Sequence, residues 1–268
     1  MRLSIEHVTT LSYDQPINEA HTEVRLKPSD ASGQRCLSFK LVTDPVNASV
    51  LSYTDHFGND VRYFDWLQPH TRLTITAISE VMTPASLDPG SRELTPLEDY
   101  DYRHPTSYTP ADEAICRFAG PHVVDGDPLG TAQSLMRAVF GAIKYERGAT
   151  DVKTTADDAL SLGRGVCQDF AHLLIAACRC QGIPARYVSG YLYDPKFFGD
   201  NAATHAWVDV FIPERGWVSL DPTHNCEQSE RYVRVAIGRD YADAPPTRGV
   251  FKGNAKETLD VRVVIRAL

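Results

Sequence analysis

Gly165-Val166-Cys167-Gln168-Asp169-Phe170-Ala171-His172-Leu173 is the stretch on which the fold of this chain turns. From Cys167 onward, Phe170, Leu173, Leu174, Ala177 and Cys178 recur at the spacing of one buried helical face. Gly163 and Gly165 loosen the chain before the run, and Gly182 with Pro184 ends it. Cys167 therefore stands at the amino end of a helix, where unpaired backbone N–H groups and the positive end of the helix dipole favour a thiolate. Asp169, in the first turn, complements the same dipole. Taken alone, Cys167 reads equally well as one more small buried apolar residue.

Two downstream segments shift that balance. From His205 to Ile212 the residues alternate, with Ala206, Val208, Val210 and Ile212 on one face and His205, Trp207, Asp209 and Phe211 on the other. Pro213-Glu214-Arg215-Gly216 makes a turn, and Trp217 to Asp221 returns as a second strand with Val218 and Leu220 on the apolar side. Keeping both apolar sets on one face puts His205 and Asp221 together on the opposite face. Pairing Phe211 with Arg215 sets His205 directly across from Asp221; pairing Phe211 with Trp217 makes them diagonal neighbours. Cβ separations of about 5 Å or roughly 7–8 Å follow, and an imidazole meets a carboxylate across either gap. A thiol, an imidazole and an orienting carboxylate are the parts of an activated sulfur nucleophile.

The blocks Gly165 to Ala171, Gly182-Ile183-Pro184-Ala185-Arg186-Tyr187-Val188-Ser189-Gly190-Tyr191, Thr204-His205-Ala206-Trp207-Val208 and Gly216-Trp217-Val218-Ser219-Leu220-Asp221-Pro222-Thr223 resemble the bacterial transglutaminase-like superfamily. The likeness runs from about Tyr145 to Asn225. It implies an α+β architecture, with a papain-like core of helices packed on an antiparallel sheet, in which Cys167 is the nucleophile, His205 the base and Asp221 the orienting acid. The strands before it look like the small β domain preceding this core in many bacterial members. The superfamily contains peptidases, amidases, cross-linking acyltransferases and inactive members, so the likeness leaves the reaction open.

Thiolate attack on a carbonyl forms an acyl-enzyme; water as acceptor makes an amidase or peptidase, and a primary amine makes a transglutaminase. The leading expectation is a cysteine-dependent amide hydrolase acting on a peptide or protein amide. Its competitors are an acyltransferase and a non-catalytic scaffold. The backbone N–H of Cys167 is the natural first oxyanion donor. For the second, Tyr145 is a candidate, since no tryptophan stands just upstream of Cys167. Gln168, Trp207 and His224, beside triad members, are further candidates for oxyanion or supporting contacts. Tyr191, Tyr193, Arg239 and Tyr241 are candidates for the substrate cleft, with wall packing or a surface crossing as the alternative for each.

With 268 residues and 43% hydrophobic content the chain suits two modest domains. The expected division is an antiparallel, sandwich-like β domain over 1–85, an ordered linker over 86–110 containing Pro89-Gly90, and the catalytic core over 111–268. In the linker, Tyr100 and Tyr102 are placed to pack. Helices are expected at Ala111–Phe118, after the Asp127-Pro128 cap with a stripe of Ala132, Leu135, Met136, Val139, Phe140 and Ile143, and at Thr155–Leu162. Between the strand ending near Tyr193 and His205 lies a loop with Pro195 and Gly199. Arg231–Ile237 and Leu259–Ile265 read as late strands of the core. His7, His21, His56 and His70 are scattered, which suggests surface or capping roles.

A net charge of −8 without a basic stripe argues against a nucleic-acid partner and, more weakly, against an anionic membrane. Met1 to His7 leads into an alternating strand rather than an apolar leader, so a cytoplasmic location is expected. For that reason the six cysteines, Cys36, Cys116, Cys167, Cys178, Cys180 and Cys226, are expected as thiols. No metal or other cofactor is expected, because neither zinc nor calcium ligand spacing is present.

Overall fold

The alternation in the first third of the chain becomes six strands: β1 (Arg2–Ile17), β2 (Glu19–Val24), β3 (Arg35–Asp44), β4 (Leu51–Thr54), β5 (Asp60–Trp66) and β6 (His70–Met82). They belong to a computed structural model that describes residues 1–46, 49–85, 93–195 and 204–268; Pro89-Gly90 and Gly199 lie outside them. The helices are α1 (Pro96–Arg103), α2 (Glu113–Ala119), α3 (Pro128–Ala142), α4 (Ala156–Leu162) and α5 (Cys167–Cys180). Two short strands, β7 (Lys144–Tyr145) and β8 (Arg164–Gly165), pair in parallel just before α5. The remaining strands are β9 (Ala185–Leu192), β10 (Thr204–Ile212), β11 (Gly216–Asp221), β12 (Cys226–Glu227), β13 (Tyr232–Gly238), β14 (Thr247–Lys252) and β15 (Glu257–Ala267).

The fold is α+β. Two four-stranded sheets, ordered β15-β1-β6-β3 and β14-β2-β5-β4, form the β domain, and a five-stranded sheet, β12-β11-β10-β9-β13, backs the helices. The chain end departs from the expected division: β15 pairs with β1 and β14 with β2, so both complete the N-terminal sheets rather than the core. Local alternation marks a strand but carries no information about its partner.

Helix α5 is the hub of the core. Every residue from Gln168 to Arg179 is buried, so it packs on all sides. Helices α2, α3 and α4 cover one side, and β9 and β10 take the other. In α3 the buried stripe is Ala132, Leu135, Met136 and Val139, continued by Ile143; Phe140, expected in it, stands at its margin near the helix end and is 47% exposed. A helix appears where only a linker was expected: Thr95 caps α1 with Glu98 reaching back, and Pro96 occupies its first turn. Tyr102 of α1 is buried against Trp217, ring centroids 5.3 Å apart.

The cysteine expectation is corrected as well. Cys116 on α2 and Cys180 at the end of α5 form a disulfide, their Cα atoms 5.4 Å apart, within the span a bridge allows. Cys36, Cys167, Cys178 and Cys226 are free. A packing contact 64 residues apart in sequence leaves no local signature.

Both faces of β10 are buried from His205 onward. The apolar face meets α5; the other holds Trp207 and a buried ion network. Asp209 accepts from Arg186 Nε at 2.9 Å, Arg234 Nη2 at 2.9 Å and Ser219 Oγ at 2.6 Å. Burial pushes its carboxyl up, but the two guanidinium groups outweigh this and hold it well below the usual carboxylate range. The same region anchors the β domain: Gln34 Nε2 donates to the Arg234 carbonyl at 2.8 Å, and Asn59 Nδ2 to that of Ile237 at 2.8 Å. Asp209→Ala strands two buried cations, and denaturant melts are expected to show a loss of about 3–5 kcal/mol. A loss below about 1 kcal/mol would count against the network as a structural element.

Candidate active site

The start of α5 is fixed by its own third residue. Asp169 Oδ2 accepts the Val166 backbone N–H at 2.7 Å and the Thr150 hydroxyl at 2.6 Å. This folded-back carboxylate lies where a Cβ on Gly165 would sit, so the position requires glycine. Cys167 is thereby held at the first helical position, with first-turn N–H groups that have no acceptor within the helix.

Strand β10 brings His205 to it. The hairpin pairs Phe211 with Trp217 and Val208 with Leu220, which selects the diagonal register for His205 and Asp221. His205 Nε2 lies 2.7 Å from Asp221 Oδ2, which leaves Nδ1 as the ring nitrogen for Cys167, a residue lining the same cavity. Trp207 stacks near this imidazole, centroids 6.1 Å apart, in space that only the glycine at Gly190 leaves open.

Asp221 is fully buried and carries five hydrogen bonds. Oδ2 accepts from His205, from His224 Nδ1 at 2.7 Å and from the Tyr232 hydroxyl at 2.7 Å; Oδ1 accepts the backbone N–H groups of Thr223 and His224 at 2.8 and 3.2 Å. Burial alone would push its carboxyl up, but the bonds to the two imidazoles dominate and hold it far below the usual range. Burial likewise lowers His205, and the bonds to Asp221 and Cys167 reverse this and raise it to about 10. Next to the carboxylate, the Tyr232 phenol is pushed up by burial and by that charge, so it remains a donor.

The other sequence candidates are dispersed. Gln168 and Tyr241 line a cavity of about 240 Å³ together with Cys167 and His205; Gln168 Nε2 donates to the Val152 carbonyl at 3.2 Å. Tyr241 is held there by His172, buried beneath it, whose Nε2 accepts the Tyr241 N–H at 3.1 Å. Burial pushes the His172 imidazole down to about 3, so it is a neutral acceptor. Tyr191 is buried with its hydroxyl on His7, and Tyr193 packs at the edge of the core. Tyr145 is 44% exposed on β7, and Arg239 pairs with Asp243 at 2.8 Å; neither reaches the cavity wall. His224 is bound to Asp221 and not to Cys167. Donor atoms of His205, Asp221 and His224 lie within 4.8 Å of one another, but each imidazole is spent on the carboxylate, and a cation there would replace the bond that orients His205.

Sequence reasoning passed over Tyr232 and the β-domain residues of the cavity, His7, Thr9, Leu259 and Val261. His7, expected at the surface, is 1% exposed. The phase of β1 held the clue, since His7 and Thr9 share the inward face of Leu3, Ile5 and Leu11.

Against known proteins, residues 3–82 match the bacterial transglutaminase-like N-terminal region and 122–222 the transglutaminase-like superfamily. An uncharacterized protein of Mycobacterium leprae is 34% identical over 280 residues, covering 100% of this chain and 99% of that one. This chain is a bacterial transglutaminase-like protein. A protein-glutamine gamma-glutamyltransferase of Pseudomonas aeruginosa is 29% identical over 197 residues, 67% of this chain and 28% of the relative. Among solved structures, a protein from Cytophaga hutchinsonii proposed as a cysteine protease superposes with a TM-score of 0.74 at 22% identity, covering 100% of this chain and 92% of that chain. That likeness concerns the fold. No helix among the described residues of this transglutaminase-like protein is long and apolar enough to cross a membrane.

The pH dependence of stability tests the site's electrostatics. His205 is raised above its unfolded value of about 6.5, so its contribution is complete below that pH and is lost as pH rises towards about 10. Asp221 is depressed, so its contribution is complete above about 3.9 and is lost only in stronger acid. The stability difference between wild type and His205→Gln is expected to shrink between pH 6.5 and 10 in chemical melts. A flat difference would contradict the raised imidazole.

Proposed function

We propose that the protein is a cysteine-dependent amide hydrolase working through a thioester at Cys167, with a peptide or isopeptide bond as substrate. One observation carries this: a single imidazole shares a cavity wall with a thiol at a helix amino terminus and is held on its other side by a buried, five-bonded carboxylate. A structural histidine needs only one such partner.

The sulfur attacks the carbonyl carbon, and the oxyanion is met by the backbone N–H of Cys167 and, from the cavity wall, by the Gln168 amide. The C–N bond breaks as His205 gives its Nδ1 proton to the departing amine. Neutral His205 then takes a proton from water, the hydroxide adds to the thioester carbon, the C–S bond breaks, and the carboxylic acid leaves. Asp221 keeps Nε2 protonated and the ring aimed throughout, as the orienting member of such triads does.

The second reading, favoured by identity to the Pseudomonas aeruginosa glutamyltransferase, replaces water by a primary amine in the second half-reaction. Incubation with glutamine-containing peptides and a labelled amine separates the two: amine incorporation with ammonia release supports transfer, cleavage without incorporation supports hydrolysis. Cys167→Ala is expected to abolish thioester formation in intact-protein mass spectra with an unchanged melting temperature, and turnover in that variant would end the catalytic reading. Tyr232→Phe removes one of the bonds on Asp221 and is expected to lower kcat about tenfold with KM little changed.

A further inference from the structure

The inward face of β1 changes partner along its length. Leu3 and Ile5 join the apolar core around α5, whereas Leu11 and Tyr13 join the core between the two β-domain sheets. Between them stand His7 and Thr9, both buried and polar. His7 Nδ1 lies 2.9 Å from the Tyr191 hydroxyl on β9, and its Nε2 lies 3.0 Å from Thr9 Oγ1, so the pair ties the β domain to the sheet that carries His205. On the neighbouring strand Val261 pairs with Thr9 and Leu259 with Leu11.

All four of His7, Thr9, Leu259 and Val261 line the same 240 Å³ cavity as Cys167. Leu259 and Val261 are 54% and 44% exposed, unusual for large apolar residues on a wall. No Asp, Glu, Lys or Arg lines the cavity among the described residues. His7 adds no charge at neutral pH, because burial pushes its imidazole down to about 4. Thr247, also on the wall, has a buried hydroxyl without a hydrogen-bond partner, which offers a site for an uncharged polar group.

We infer that the N-terminal β domain is a specificity element: His7, Thr9, Leu259 and Val261 wall the space that receives the substrate residue adjoining the reacting carbonyl, and that residue is uncharged. The inference rests on Cys167 being the acyl-accepting nucleophile. Apart from the His205 imidazolium, which faces Cys167, a charged side chain entering this wall loses water and finds no counter-charge among the described residues, whereas an apolar or amide side chain covers the exposed apolar residues.

The test uses the full chain and four peptidyl chloromethyl ketones that differ only in the residue next to the reactive carbonyl: Leu, Gln, Glu or Lys. Intact-protein mass spectrometry follows alkylation at Cys167. The Leu and Gln probes are expected to react at least about thirtyfold faster than the Glu and Lys probes. In Val261→Glu, and separately in Leu259→Glu, the gap between the Leu and Lys probes is expected to narrow about tenfold, while the Glu probe falls further behind. Both positions are exposed, and an unchanged melting temperature verifies that each variant is folded. Equal labelling by all four probes, or an unaltered gap in both folded variants, overturns the inference and leaves Cys167 as a nucleophile. Labelling by none of them removes the nucleophile and the inference together.

Discussion

The buried carboxylate of Asp221 is the constraint on which the rest of the site depends. A charge at zero exposure is tolerated only when fully paired, and here two imidazoles, a phenol and two backbone N–H groups converge on its oxygens. Three of those five donors come from the short segment Thr223–His224, which turns back over the carboxylate, and one comes from Tyr232 on the far side of the sheet. With its other bonds satisfied locally, the carboxylate has one direction left for His205, and that direction fixes which ring nitrogen faces Cys167. The transglutaminase-like core thus sets the imidazole's charge and its aim with the same group.

The packing around α5 serves the same end from the other side. A helix buried from Gln168 to Arg179 has little freedom to shift, and the Asp169 carboxylate pins its first turn to Val166 and Thr150. The β domain closes the cavity through β1 and β15, and it is tied in by Gln34 and Asn59 on β13 as well as by His7 on Tyr191. Substitutions deep in the β domain are therefore expected to reach the site through geometry rather than charge.

Much of this was legible in the residues. The period of Phe170 to Cys178 marked α5, and the parity of the β10–β11 hairpin confined His205 and Asp221 to one face with two allowed registers. Choosing between those registers depends on turn geometry, in which Glu214 and Gly216 take positive φ of 65° and 81°, and no residue pattern declared that in advance. The partner of β15, the Cys116–Cys180 bridge and the exposure of Phe140 all depend on contacts distant in sequence. The scatter of the histidines along the chain points His7 to the surface, whereas the inward phase of β1 places it with Leu3 and Ile5. Tyr232 reads as an ordinary strand aromatic, and even the sheet order leaves two strands between β13 and β11; only its side-chain reach brings the hydroxyl to Asp221.

The central claim is that a buried carboxylate holds the His205 ring as an imidazolium facing Cys167. Nitrogen-15 NMR of histidine-labelled protein tests it most directly, with the His205 resonances assigned by loss in His205→Gln. Both ring nitrogens are expected to be protonated at neutral pH and to titrate near about 10, and in Asp221→Asn the transition should fall by several pH units. A ring protonated on one nitrogen alone at pH 7 in the wild type, unchanged by Asp221→Asn, would contradict the account.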